Sequence, residues 1–486
     1  MFKTKYYTSK RYCILNTEAK QSDFYQGYIR VNYGFIFACP DIKKLMALRN
    51  NDIAEIREIE MVKSMQEHFH DPGKSLDPLL DRIGDARIVL LGEATHGTHE
   101  YYIWRAMISR RLIKEKGFNI VGVEGDWPDC YRINRYIRNY STGEENSREV
   151  LKKFKRWPSW MWANWEISAF MEWLKSNNKG LPFNRQAGFY GLDVYSLWES
   201  LEAIIDYLRK NDPSALKTAQ KAMQCFEPYD REGQDYAASA RLAPEACEKE
   251  VLDLLKTIRK RVPLYDSDPE APFSTEQNAM TAVNAEKYYR SMIRGGPDSW
   301  NIRDEHMTGT LERLLDFHGP GSKAIVWEHN THIGDARATN MADAGIFNVG
   351  QLVRERWDPS SSVSVGFGSY KGSVIAGSAW GAEMQEMHIP AARRGSWEAL
   401  LHSTEPKNKL IITEDIKDYP LMARRLSHRA IGVVYDPEME SFGNYVPSLI
   451  PRRYDAFMFL DESRALYPLK TEEDTELTPE TYPFGL

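Results

Sequence analysis

Two short segments of the sequence bring carboxylates and imidazoles close together. The segment "GEATHG" holds Glu93 and His96 three residues apart, and "HNTH" holds His329 and His332 at the same spacing. A carboxylate beside an imidazole can fix the tautomer of the ring, which can then take a proton from water. Two histidines at i and i+3 can also reach one point if their turn is helical, as in some metal sites. The segments therefore indicate acid–base catalysis, metal binding or, more simply, local hydrogen bonds.

Each of these residues also has a structural interpretation. Glu93 at a strand end can cap the helix that follows, and His96 can hydrogen-bond within its own turn. Glu124 lies inside the apolar run "IVGVEGD". As a buried unpaired charge it would cost several kcal/mol, so it needs a partner such as Arg105 or Arg135. These residues are expected to form either a catalytic cleft or a set of structural ion pairs.

The remaining histidines and a Trp-rich segment are expected to serve the structure. His306, His318, His388 and His428 have no comparable setting and are predicted to be surface or structural residues. Residues 156–166, "RWPSWMWANWE", are predicted to pack in the core or at the rim of a site. Their aromatic density would also suit the wall of a pocket for a bulky apolar molecule.

Three classes of enzyme lack their sequence motifs here. There is no GxSxG elbow for a serine esterase. There is no P-loop and no GxGxxG after a predicted strand, so nucleotide cofactors have no support. Cys130, in "DWPDCYRIN", has no base beside it, so a thiol nucleophile is not expected.

The chemistry needs a framework that brings distant segments together. The chain repeats a short apolar run, a polar turn and a long amphipathic segment, which is typical of a mainly parallel sheet flanked by helices, a three-layer α/β/α fold. Ligands bind outside the carboxyl ends of such strands, where Glu93, Glu124, Asp193 and Glu328 are expected. The predicted strands are residues 87–93, 118–126, 187–194, 323–330, 363–370, 430–436 and 456–462.

The chain is predicted to consist of one domain with additions. Residues 46–486 form the α/β domain, interrupted at about residues 195–318 by a helical insertion whose apolar positions recur at three- and four-residue spacing. Residues 1–45 show no clear periodicity and are expected to be a poorly packed extension, which could even precede the natural start.

Composition indicates an ordinary compact protein that binds neither nucleic acid nor membrane. The 63 basic and 69 acidic residues give a net charge of -6 without long blocks of one sign. No apolar stretch reaches the length of about 18 residues that a membrane span needs. The five cysteines form no CxxC pair, so neither a disulfide framework nor a zinc ribbon is expected, and a reducing, cytoplasmic setting is predicted.

Taken together, these residues resemble the erythromycin esterase family from about Asp52 to beyond residue 400. The matching pieces are "GEATHG" with Arg105 downstream, "VEGDW", "GLDVYS", "SWNIRD" and "WEHNTH". The resemblance implies a parallel α/β core interrupted by helices. It also implies hydrolysis of an ester or lactone by a histidine-activated water, without a metal and without a covalent intermediate.

The resemblance implies roles for individual residues. His96 would be the general base, and Glu93 and Glu124 would orient the base or the water. Arg105, His329 and His332 would be the other polar members of the catalytic cleft. The same motifs place the expected substrate contacts at Trp127, Asp193 and Arg303.

The predicted function is therefore ester or macrolactone hydrolysis, with a macrolide as one candidate substrate. The expected partner is a small-molecule ester or lactone, no cofactor is expected, and no oligomeric state is predicted. Two alternatives stay open. One is a metal-dependent hydrolase that uses Glu93, His96, Glu124, His329 and His332 as ligands. The other is a binding protein without catalysis.

Overall fold

The computed structural model describes residues 75–469 with six short gaps. The predicted extension at residues 1–45 lies outside the described residues. The gaps are residues 141–142, 144–145, 230–232, 241–246, 262–267 and 293–295.

Ten strands form two sheets in the described part of the chain. The larger sheet has the order β3-β2-β4-β1-β5-β10-β7, and β6 pairs with β5. Strands β6 and β7 run antiparallel to their neighbours, and the other six strands of this sheet are parallel. The strands are β1 (Ile88–Leu91), β2 (Ile120–Asp126), β3 (Gly188–Asp193), β4 (Ala324–Trp327), β5 (Ser362–Gly377), β6 (Met384–Ile389), β7 (Lys409–Ile412), β8 (Leu426–Arg429), β9 (Tyr445–Ser448) and β10 (Ala456–Ser463).

Helices connect these strands and cover both faces of the larger sheet. The α-helices are α1 (Asp77–Ile83), α2 (His99–Lys116), α3 (Trp127–Ile137), α4 (Ser147–Leu151), α5 (Trp165–Asn178), α6 (Leu197–Asn211), α7 (Pro213–Phe226), α8 (Gly233–Ala240), α9 (Glu248–Arg261), α10 (Ala271–Met292), α11 (Asp298–His318), α12 (Asn330–Ile333), α13 (Val349–Arg356), α14 (Trp397–His402), α15 (Glu440–Gly443) and α16 (Ile450–Arg453). None of the helices in the described residues is long and apolar enough to cross a bilayer.

The sequence of β1 shows why the sheet is buried on both faces. All four residues of "IVLL" are apolar and buried, as expected for a parallel strand with helices on either side. Because side chains alternate along a strand, Ile88 and Leu90 pack in one core cluster, and Val89 and Leu91 in the other. The predicted three-layer α/β fold is confirmed.

The strand order brings the polar strand ends together. Strands β3, β2, β4 and β1 are consecutive neighbours, and all four are parallel. Their carboxyl ends therefore meet at one edge of the sheet, where Glu93, Glu124, Asp193 and Glu328 lie. This edge contains the candidate site.

One predicted strand is wrong, and one disulfide was not predicted. Residues 430–436 form isolated bridges instead of a strand: Ile431 pairs with Thr95, and Val434 with Gly377. The segment contacts the loop after β1, where the backbone N–H of Ile431 donates to the carbonyl of Ala94, and the last residue of β5. Cys225 and Cys247 form a disulfide, with Cα atoms 5.9 Å apart, between α7 and the start of α9.

Candidate active site

The loop after β1 supplies the first part of the site. Nδ1 of His96 lies 3.0 Å from Oε1 of Glu93, and both side chains are buried. A carboxylate accepts hydrogen bonds, so Nδ1 carries the ring proton and the lone pair of a neutral His96 lies on Nε2. This is the tautomer that can take a proton from water.

Arg105 holds the other oxygen of Glu93. Its Nη2 donates to Oε2 at 2.6 Å, from a position in the middle of α2. The guanidinium lies over the rings of Tyr102 and Trp327, at 4.4 and 4.9 Å. An unpaired buried guanidinium would be costly, so the pair with Glu93 and the two aromatic faces fix Arg105 in place. Arg105 thus orients Glu93.

Glu124 has partners that differ from those expected. Its Oε1 accepts from Nη2 of Arg303 at 2.7 Å, and its Oε2 accepts from the backbone N–H of His329 at 2.7 Å. Burial acts to raise the pKa of Glu124, but the nearby histidines and Arg303 outweigh it and hold the pKa well below its usual range. The expectation of Arg105 or Arg135 as partner is wrong, because Arg105 pairs with Glu93 and Arg135 with Asp268.

His329 presents an N–H group into the cluster. The backbone N–H of Thr331 donates to its Nδ1 at 3.3 Å, so a neutral His329 carries its proton on Nε2. Nε2 is buried and makes no hydrogen bond to any described residue. Burial and the neighbouring His96, 4.9 Å away between ring centroids, hold the pKa of His329 well below its usual value. The backbone carbonyl of Ala94 acts in the opposite direction, to raise the pKa of His329. His329 is thus a donor that lies near one backbone acceptor but makes no formed hydrogen bond at Nε2 to a described residue.

His332 lies at the far side of Glu124. Its Nδ1 is 2.9 Å from Oδ1 of Asp304, and its Nε2 is 3.0 Å from Nη1 of Arg303. Trp300 stacks on the ring with 4.5 Å between centroids. Both ring nitrogens are therefore occupied by protein.

The structure brings all six predicted catalytic residues into one buried cluster. Each has at most 2% of its surface exposed, so a substrate can reach them only if the cleft opens. Their individual roles remain predictions. They are Glu93, His96, Arg105, Glu124, His329 and His332.

The three residues expected to contact substrate are occupied by protein groups. Trp127 packs against Tyr131 and Tyr190, and its indole N–H donates to Ser274. Asp193 and Arg303 form a buried ion pair at 2.6 Å. The structure gives all three packing or positioning contacts, and a substrate contact remains a prediction.

Two further acids lie in the site: Asp304, which the sequence did not single out, and Glu328, which was expected at a strand end but was given no role. Asp304 is buried beside His332. Glu328 follows β4, and neither of its buried carboxyl oxygens hydrogen-bonds to a described residue. Burial, together with the carboxylates of Glu124 and Asp304, raises the pKa of Glu328 well above its usual value. Glu328 thus lies at the strand end where the sequence placed it, as a buried carboxyl without a hydrogen-bond partner among the described residues.

A metal site is not formed by the described part of the chain. No group of three or more His, Cys, Asp or Glu side chains there is arranged to hold a metal ion. A surface cavity of about 410 Å³ lies instead between α10 and α11, lined by residues that include Lys287, Asn301 and Phe347. None of the six predicted catalytic residues lines this cavity.

The other predicted structural residues lie mostly in the interior. His428 is buried and hydrogen-bonds through Nδ1 to Glu398 at 2.6 Å, whereas His388 is exposed. In the Trp-rich segment, Trp160 and Trp162 are fully covered in the core, and Trp165 is half exposed. These positions agree with packing.

Comparisons with known proteins identify a matching sequence family and solved structures of the same fold. The sequence profile described as erythromycin esterase matches residues 113–463, more than half of the chain, beginning after His96 and Arg105. The chain is 24% identical over 384 residues to "Erythromycin esterase type II" of Escherichia coli, covering 74% of this chain and 88% of that protein.

Two solved structures share the fold. A Bacillus cereus protein is 18% identical with a TM-score of 0.72, covering 86% of this chain and 99% of that one. A mutant of the erythromycin esterase EreC, described as in its open conformation, is 16% identical with a TM-score of 0.59, covering 82% of this chain and 97% of that one.

Proposed function

The chain belongs to the erythromycin esterase family and is a hydrolase of the esterase type, and we propose that it cleaves an ester or macrolactone with a water molecule activated by His96. The observation that carries the proposal is the buried hydrogen bond between Nδ1 of His96 and Glu93. It leaves the base lone pair of His96 on Nε2. Without GxSxG in the sequence, no serine elbow is available to form an acyl-enzyme.

The first step is the addition of water. Nε2 of His96 takes a proton from water while the water oxygen bonds to the carbonyl carbon. The carbonyl oxygen becomes an oxyanion, and the imidazolium that forms on His96 is stabilised by the carboxylate of Glu93. Arg105 holds that carboxylate in place.

The oxyanion needs a preorganised donor, and His329 supports this role. Its Nε2–H is fixed by the hydrogen bond at Nδ1 and makes no hydrogen bond to a described residue. Because this N–H has no such partner in the resting protein, its hydrogen bond to the substrate can be stronger in the transition state than in the ground state. Such a difference in interaction strength accelerates a reaction. His329 is thus proposed to stabilise the tetrahedral intermediate.

The second step is the loss of the alcohol. The bond between the carbonyl carbon and the leaving oxygen breaks, and the imidazolium of His96 returns its proton to that oxygen. The products are a carboxylic acid and an alcohol, which remain one molecule if the substrate is a macrolactone. His96 ends in its starting state, so no cofactor is consumed.

A macrolide is the candidate substrate, as the name of the Escherichia coli relative suggests, and its cleavage would inactivate an antibiotic. The buried cluster implies that the cleft opens for substrate. The open conformation named for the EreC mutant is in line with such a motion. We also propose a cytoplasmic location in view of the few cysteines, although a disulfide between Cys225 and Cys247 is unusual in a reducing compartment.

A substrate panel tests the proposal. Purified wild-type protein would be incubated with 4-nitrophenyl acetate, longer acyl esters, simple lactones and erythromycin, and the products followed by mass spectrometry. Hydrolysis should add the mass of one water to the substrate in total, and no protein carrying an acyl group should be detected. If nothing on the panel is cleaved, the alternative of a binding protein is favoured.

Chelation separates the proposal from metal-dependent hydrolysis. After exhaustive treatment with a chelator, the turnover of an active substrate is expected to be unchanged. Loss of turnover that a divalent cation restores would instead favour the metal-dependent alternative.

A further inference from the structure

Arg303 uses most of its hydrogen-bond donors on protein groups. Nε and Nη2 donate to the two oxygens of Asp193 at 2.9 and 2.6 Å. Nη2 also donates to Oε1 of Glu124 at 2.7 Å, and Nη1 lies 3.0 Å from Nε2 of His332. A guanidinium only donates hydrogen bonds. His332 must therefore accept at Nε2.

The tautomer of His332 follows from this contact. A neutral imidazole accepts at one nitrogen and donates from the other, so Nδ1 carries the proton. Nδ1 points at both oxygens of Asp304, at 2.9 and 3.0 Å. The stacked ring of Trp300, tilted by only 7°, holds the plane of the imidazole. The hydrogen bonds thus run in one direction, from Arg303 through His332 to Asp304.

We infer that Asp304 is a positioning residue: it fixes the tautomer of His332 and thereby the position of the Arg303 guanidinium. Asp304 is itself anchored, because the backbone N–H of Val349 donates to its Oδ1 at 3.0 Å. It is fully buried. Because the carboxylate of Asp304 is held in place, the ring of His332 keeps its proton on Nδ1.

The effect of Asp304 reaches the reacting groups through Glu124. Arg303 holds one oxygen of Glu124, and the other oxygen accepts the backbone N–H of His329. If the guanidinium moved, Glu124 would lose its cation and the backbone of His329 would lose a fixed acceptor. Asp304 therefore acts on the reaction through three successive contacts without touching the substrate. This functional part rests on the proposed hydrolysis, whereas the tautomer does not.

The tautomer can be read without any substrate. Protein labelled with ¹⁵N-histidine would be studied by NMR at neutral pH, with the His332 signals identified by their loss in His332→Gln. We expect wild-type His332 to be neutral with its proton on Nδ1. Asp304→Leu leaves Nδ1–H without an acceptor and should populate the Nε2–H form. An Nε2–H form or an imidazolium in the wild type, or an unchanged tautomer in a folded Asp304→Leu, would overturn the inference.

A second buried histidine–carboxylate pair provides the matched control. Glu398 holds Nδ1 of His428, and Nε2 of His428 ends at the side chain of Asn330 at 3.2 Å. Glu398→Gln should change the signals of His428 and leave those of His332 unchanged. A change at His332 in this variant would show that the signal reports general loosening and would overturn the assignment to Asp304.

Kinetics test the functional part. With a substrate identified on the panel, Asp304→Leu should lower kcat by about 10- to 100-fold, as for other residues that orient a functional group without contacting the substrate, with KM little changed. Asp304→Glu keeps a carboxylate acceptor and should restore part of kcat. Equal kcat in a folded Asp304→Leu and wild type would overturn the positioning role. The absence of any hydrolysis would refute the proposed function and leave the NMR result standing.

Discussion

Nδ1 of His96 donates a hydrogen bond to Oε1 of Glu93 across 3.0 Å, inside the protein and away from solvent. This contact decides which nitrogen of His96 can act as a base. Glu93→Gln would allow the opposite tautomer, because a glutamine side chain can donate to Nδ1. We expect kcat to fall by about 100-fold or more with a smaller change in KM, as measured by steady-state kinetics. Glu115→Gln, on the exposed side of α2, is the control. Unchanged kcat in Glu93→Gln would contradict the tautomer role.

His329 is predicted to act as a donor. His329→Phe removes the Nε2–H and should lower kcat by about 10²- to 10³-fold, the usual effect of losing one oxyanion donor. His329→Gln keeps an N–H group and should retain more activity. The comparison is made at saturating substrate. If the phenylalanine variant kept the wild-type kcat, the oxyanion would have to be stabilised by another group.

Gly97 is predicted to be required for the fold of the loop after β1. A Cβ atom on Gly97 would lie 1.9 Å from the carbonyl oxygen of Ile375 in β5, so backbone must move. Gly97→Ala should lower the free energy of unfolding by about 1–3 kcal/mol. Gly309→Ala, in α11 with no atom within 4 Å of the new methyl, should raise it by up to about 1 kcal/mol. Urea denaturation measures both, and equal stabilities for the two variants would refute the close approach.

The raised pKa of Glu328 predicts that the difference in stability between wild type and Glu328→Gln changes with pH. The folded protein keeps this proton at pH values where the unfolded chain has lost it, so the group makes folding less favourable as pH rises. Glu328→Gln removes the effect. Between about pH 5 and pH 8 the variant should become more stable than wild type, by at most about 1.4 kcal/mol per pH unit. Urea denaturation across this range gives the difference, and a constant difference would show that Glu328 is not neutral in the fold.

The sequence was sufficient for the local parts of the site. β1 and the loop after it are contiguous, so an apolar run followed by "GEATHG" predicts both the strand end and the pairing of Glu93 with His96. Parallel strands then require that polar strand ends meet at one edge. Most strands and five of the six clustered residues could be anticipated in this way, whereas the place of Arg105, in α2, was implied only by the family resemblance.

Partners from distant segments could not be predicted. Glu124 and Arg303 are 179 residues apart, and nothing local distinguishes Arg303 from Arg105 or Arg135 as its partner. The strand expected at residues 430–436 has a suitable apolar pattern, but its neighbours, the loop after β1 and the end of β5, offer only single bridges. Likewise, the pairing of Cys225 with Cys247 depends on how α7 packs near α9, and this packing cannot be predicted from the spacing of the two cysteines in the sequence.

The central claim is that His96 is the general base, and paired alanine variants test it most directly. His99 is the matched control, because it lies three residues away and pairs with Glu166 outside the cluster. With any ester or lactone that the wild type cleaves, His96→Ala should lower kcat/KM by about 10²- to 10⁴-fold, while His99→Ala should stay close to wild type. A folded His96→Ala that is as active as wild type would contradict the account.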